Sequence, residues 1–168
     1  MTDQGKIKFA VVGCGHIGKR HAEMVKRHPE AELLAVCDIR ANADTGADQF
    51  GVPVFSDIDE MLRALPSIDV VNVCTPNGLH AQQSLKALEA RKHVVCEKPM
   101  GLSKSDCEEV LYKALQVHRT VFGVMQNRYS PPSQWIKSII DGNKLGDIFM
   151  VQVNCYWNRD EHYYKKGG

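Results

Sequence analysis

The sequence predicts an α/β fold in which helices cover both faces of a doubly wound parallel sheet. Three observations carry this. Short apolar runs alternate with helical patterns through brief connections. One run, Asp69-Val70-Val71-Asn72-Val73-Cys74, is almost wholly apolar, as in a central strand buried on both faces. Polar clusters follow directly on several runs, at the edge where open α/β sheets bind ligands.

Each element has its own justification in order. Ile7–Val12 reads as the first strand, and 17–27 as a helix ended near Pro29. Residues 33–37 form a second strand, 43–50 a helix stopped by Gly51, and Val54–Phe55 a short third strand. Ser56 with Asp59 three residues on is an S-x-x-D capping box that opens a helix to about Leu65. After the central strand come Thr75-Pro76-Asn77-Gly78-Leu79-His80 and a helix to about Ala90. His93–Cys96 is a fifth strand that runs into Glu97-Lys98-Pro99. Ser103 and Asp106 then cap a helix to about Val117, and 120–126 makes a sixth strand.

Beyond Pro131-Pro132 a helix is expected to about Ile140, then a turn at Asp141-Gly142-Asn143. From Asp147 to Trp157 the alternation predicts one long strand, with Phe149, Val151, Val153, Cys155 and Trp157 on one face. No later run offers it a partner. The chain is therefore expected to stop inside a second, truncated α/β domain.

At 168 residues and 43% hydrophobic, the chain can bury one sizeable core. A net charge of +1 gives no reason to expect nucleic acid or an anionic membrane as partner. The sequence shows neither a bilayer-length apolar run nor a signal-peptide core near Met1, so a soluble cytoplasmic protein is expected. The six cysteines are scattered without a C-x-x-C pair, which predicts reduced thiols and no metal site. Cys14 alone lies where exposure would allow its oxidation.

The first strand leads into Gly13-Cys14-Gly15-His16-Ile17-Gly18, a G-x-G-x-x-G turn that opens a helix. Asp38 stands 20 residues beyond the last glycine, at the end of the second strand. That spacing marks a Rossmann-type dinucleotide site. Gly13 permits a sharp turn, Gly15 permits backbone close to a pyrophosphate, and Gly18 permits helix–strand packing. Asp38 is placed to accept the adenosine ribose hydroxyls and to repel a 2′-phosphate, which favours NAD over NADP. Arg40 leaves NADP open, since it can pair with Asp38, stack on adenine or meet a 2′-phosphate.

The ordered set Gly13–Gly18, Cys74-Thr75-Pro76-Asn77-Gly78-Leu79-His80, Glu97-Lys98-Pro99 and Gln126-Asn127-Arg128-Tyr129 resembles the Gfo/Idh/MocA oxidoreductases. The resemblance spans nearly the whole chain. It implies an NAD(P)-binding domain over 1–128 and, from 129 to 168, the start of a substrate and oligomerisation domain. In that family the second domain supplies an Asp-x-x-x-His pair, which is absent here, and the complete proteins associate through its sheet. The implied reaction is oxidation of a secondary hydroxyl on a sugar, cyclitol or sugar nucleotide. Tyr156-Trp157-Asn158-Arg159 with Tyr163-Tyr164 looks most like the members acting on nucleotide-linked sugars, or equally like a sheet interface of stacked aromatics.

The same resemblance assigns residue roles. Lys98 is the expected catalytic residue, an ammonium that stabilises developing alkoxide and touches the nicotinamide ribose. Pro99 keeps it extended at the strand end; an ordinary surface lysine paired with Glu97 is the other reading. His16, Ile17, Thr75, Pro76, Asn77, His80 and Glu97 join the glycines as cofactor contacts, with Gln126 and Arg128 reaching towards nicotinamide or substrate. For His80, in a first helical turn, a neutral hydrogen-bonding role and a purely structural one both fit. His21 and His28 read as helix-surface residues. Two rival functions stay open, a non-catalytic NAD-binding module and an NAD-assisted lyase or hydrolase.

Overall fold

Six apolar runs give six strands, and their parallel pairing follows from the helices that return the chain between them. The computed structural model describes residues 5–40, 42–158 and 160–161. It contains β1 (Ile7–Val12), α1 (His16–Arg27), β2 (Ala31–Cys37), α2 (Asn42–Thr45), β3 (Val54–Phe55), α3 (Ile58–Ala64), β4 (Val70–Val73), α4 (His80–Glu89), β5 (His93–Cys96), α5 (Lys104–Gln116), β6 (Val121–Gly123) and α6 (Pro131–Asp141). The chain divides into two compact units between Val124 and Met125.

In the first unit all six strands form one parallel sheet in the order β3-β2-β1-β4-β5-β6. The order reverses direction between β1 and β4, and β4 is central, buried at every residue. Strand alternation sorts the core into two layers. Ala10, Val12, Val71, Val73, Val94 and Cys96 meet Met61 of α3, Leu88 of α4 and Val110 of α5 on one face. Val11, Val36 and Cys74 meet Ala22 and Val25 of α1 on the other. Met61 and Leu88 are wholly buried, which contributes about 1.5–3 kcal/mol apiece.

Several boundaries depart from expectation for local reasons. The cap of α3 is Asp57, not Ser56, because the Asp57 carboxylate accepts the Glu60 N–H at 2.8 Å. Asp57→Ala should therefore cost about 1 kcal/mol in urea unfolding, whereas Ser56→Ala should leave the midpoint unchanged. The Ser103–Asp106 capping box of α5 is present in both directions. The expected helix over 43–50 is instead α2 followed by a 3₁₀ turn, Ala47–Phe50. β6 has three residues, since β5 ends at Cys96 and Val124 N–H takes the last carbonyl, that of Cys96, at 2.8 Å.

In the second unit Gln126–Tyr129 is a 3₁₀ turn, so Gln126, Asn127 and Arg128 do not end a strand. α6 follows as expected. The alternating run 147–157 forms no strand, because no segment among the described residues pairs with it, and its side chains are exposed. Arg159, Tyr163 and Tyr164 lie outside the described residues. No helix among the described residues is long and apolar enough to cross a membrane.

Candidate dinucleotide-binding site

The carboxyl ends of β1, β2, β4 and β5 bring four sequence elements to one edge of the sheet, at the switch between β1 and β4. The first is the glycine loop. Gly13 has φ +90°, and a Cβ there would stand 2.7 Å from the Cys74 carbonyl and the Thr75 nitrogen. At Gly18 a Cβ would stand 1.7 Å from the Gly13 oxygen. Gly15, by contrast, faces open space. The first rung of α1 runs from Lys19 N–H to Gly15 C=O at 3.0 Å, so the N–H groups of His16, Ile17 and Gly18 crown the helix start.

The loop is tied to the second element, Asp38, which is 7% exposed. Cys14 N–H donates to Asp38 Oδ2 at 2.7 Å, and Gly13 N–H donates to Cys37 O at 2.7 Å. Arg40 completes the carboxylate. Its Nε and backbone N–H both donate to Oδ1 at 2.9 Å, and a terminal nitrogen donates to Oδ2 at 2.8 Å. Of the three roles open to Arg40, pairing with Asp38 is the one present.

A carboxylate has about four acceptor sites, so these donors fill it. A ribose hydroxyl must displace the Arg40 side chain, which is half exposed, while the Cys14 contact stays. Burial works against the charge on Asp38, but Arg40 and the Cys14 N–H outweigh it and hold the carboxyl below its ordinary value of 3.8. The lowered folded value means this contribution to stability is complete above about pH 4 and is lost as pH falls through the folded value. Acid unfolding of wild type and Asp38→Asn, followed by circular dichroism, should converge below pH 4.

Thr75–His80 is the third element. Thr75 Oγ1 is buried and has no partner among the described residues, while Pro76 and Asn77 are exposed where the 3₁₀ turn Asn77–Leu79 begins ahead of α4. His80 is 1% exposed, and both its ring nitrogens lie 2.7 Å from backbone oxygens, Nδ1 from Pro99 and Nε2 from Thr75.

The fourth element is Glu97-Lys98-Pro99. The Lys98–Pro99 peptide is cis. Glu97 does not pair with the Lys98 ammonium, as one reading had it. Its Oε1 meets His21 Nε2 at 3.1 Å and its Oε2 accepts the Lys98 backbone N–H at 3.2 Å. Lys98 itself is exposed, and its ammonium has no ion pair among the described residues. His21 is thus no simple surface residue. It joins α1 to the end of β5, a contact visible only once the sheet order is known. His28 is exposed as expected. Gln126 and Arg128 belong to the other unit.

The thiols around the loop are inert. Burial, with Asp38 nearby, pushes Cys14 up to about 11, and burial pushes Cys37 up to about 12. Cys14 is 1% exposed, against the expected opportunity for oxidation. No cluster among the described residues could hold a metal ion.

An open-faced glycine loop at a helix start, a carboxylate at the end of β2 and an unpartnered hydroxyl beside them together fit a dinucleotide. The fold and site define an NAD-binding domain of the Rossmann type. Residues 7–124 match the family model described as an oxidoreductase family with an NAD-binding Rossmann fold, and the chain belongs to that family, Gfo/Idh/MocA.

The D-glucoside 3-dehydrogenase of Escherichia coli is 32% identical over 89% of this chain and 43% of its own length. Among solved structures, the WlbA dehydrogenase of Chromobacterium violaceum, in complex with NADH and UDP-GlcNAcA, superposes with a TM-score of 0.92. It is 37% identical over all of this chain and 49% of its own. The scyllo-inositol dehydrogenase of Lactobacillus casei, with NAD(H) and scyllo-inositol, gives a TM-score of 0.78 at 32% identity, over 84% of this chain and 43% of its own. The chain thus spans about half the length of the relatives it matches.

Proposed function

We propose that this chain is the dinucleotide-binding half of an NAD-dependent dehydrogenase that oxidises a secondary hydroxyl of a sugar nucleotide. The observation that carries the cofactor assignment is the Cys14–Asp38 contact, which sets a charged acceptor beside the glycine loop. The likeness to the WlbA dehydrogenase, over the whole chain, supports a sugar nucleotide over a cyclitol. In this reading residues 129–168 begin the substrate and oligomerisation domain, and the acid–base pair comes from that domain.

NAD, when bound, supplies a hydride acceptor at its nicotinamide ring. The chain's own residues do the rest. The N–H groups at the start of α1 would hold the pyrophosphate, Thr75 Oγ1 would offer a buried hydrogen-bonding group, and Asp38 would accept the ribose hydroxyls in place of the Arg40 side chain. Lys98, just past the end of β5 and without a carboxylate partner among the described residues, polarises the substrate hydroxyl and steadies negative charge on its oxygen.

Titration of the 168-residue chain with NADH and NADPH, followed by fluorescence, tests the cofactor. Saturable NADH binding is expected, weakened by about 1–3 kcal/mol in Asp38→Ala, which also strips the Cys14 N–H of its acceptor. Absence of binding by either nucleotide overturns the assignment, and tighter binding of NADPH moves it from Asp38 to Arg40. The full-length enzyme should reduce NAD with UDP-GlcNAcA and not with scyllo-inositol. The reverse preference would make it a cyclitol dehydrogenase.

A further inference from the structure

The ring of His80 is a buried group at the site whose role the proposed chemistry leaves unused. It sits at the first residue of α4, and its two partners are both main-chain carbonyls, Thr75 O after β4 and Pro99 O after β5. A carbonyl oxygen accepts and cannot donate. A neutral imidazole has one N–H, so it would satisfy one contact and set a lone pair against oxygen at 2.7 Å in the other. The arrangement therefore asks for a proton on each nitrogen. With 1% of the residue exposed, neither nitrogen is left for a cofactor or substrate.

We propose that His80 is a positioning residue for Lys98: its ring donates from Nε2 to Thr75 O and from Nδ1 to Pro99 O, and so fixes the distance between the two loops. The inference rests on the reading of Lys98 given above. From the other side, Glu97 accepts the Lys98 N–H while held by His21. The backbone on both sides of the Lys98 side chain is thus pinned to a helix.

Nuclear magnetic resonance on the 168-residue chain tests this without a known substrate. With ¹⁵N-labelled histidine at neutral pH, His80 should show two ring N–H groups that exchange slowly and persist on adding NADH. A single ring N–H overturns the proposal, and this measurement needs no variant. With lysines tagged by ¹³C-methylation, and Lys98 assigned through Lys98→Arg, the Lys98 signal should shift on NADH addition. In His80→Gln, at NADH concentrations that saturate the variant, that shift should be lost or broadened. An unaltered Lys98 response in His80→Gln overturns the positioning role. A wild-type Lys98 signal indifferent to bound NADH defeats the reading of Lys98 instead.

Discussion

Gly18→Ala should abolish NADH binding and destabilise the first unit more than any other single-methyl addition in the glycine loop. The added Cβ would lie 1.7 Å from the Gly13 oxygen and 2.9 Å from the Gly13 carbonyl carbon. Both are backbone atoms of the loop itself, so no side-chain rotation relieves the clash and α1 must back away from β1. Overpacking of this kind costs about 1–3 kcal/mol and sometimes more. It also moves the N–H groups that would hold a phosphate. Gly15→Ala is the matched control. Its Cβ meets nothing within 4 Å, so stability should change by no more than about 0.5 kcal/mol, while NADH binding weakens because the methyl occupies the approach to the backbone. Urea unfolding paired with NADH titration separates the two variants. Equal stability of both would mean that the helix start is looser than its geometry implies.

On the function proposed above, Lys98→Met in the full-length enzyme should lower the rate of substrate oxidation by about a hundredfold or more, the scale of removing one transition-state donor. Methionine keeps the apolar stem and removes the charge. Because the ammonium has no protein carboxylate to satisfy among the described residues, its loss leaves no orphaned partner, and folding and NADH affinity should survive. Stopped-flow absorbance at saturating NAD and UDP-GlcNAcA reads the step directly. An unchanged kcat would take Lys98 out of the reaction.

Most of the sheet was legible in the sequence because its local signals agree. Val70–Val73 is apolar but for Asn72, does not alternate, and lies in the middle of the sheet, and Ser103 with Asp106 makes the box its spacing promises. The glycine loop was legible for the same reason, since strand, turn, helix and acid stand in fixed order. Contacts made through the sheet were not. Nothing near His21 in sequence points to Glu97, 76 residues away, and nothing near His80 says that both its nitrogens face carbonyls. Ser56 and Asp57 are both good caps, and only the turn geometry chose Asp57. The alternation from Asp147 to Trp157 was real, but a strand is a property of a pair, and the described residues contain no second member.

The glycine loop is walled by residues that are far apart in synthesis. Gly13 closes against Cys74 and Thr75, some sixty positions later, because β1 pairs with β4 as well as with β2. As a ribosome releases the chain, β1, α1, β2 and β3 can assemble from neighbours, yet the loop has one wall missing until β4 emerges. Until then the edge of β1 is bare and the nucleotide cradle is half built. The wall of the glycine loop is therefore complete only when β4 lies beside β1, which makes the β3-to-β4 crossover as much a part of the site as the glycines themselves.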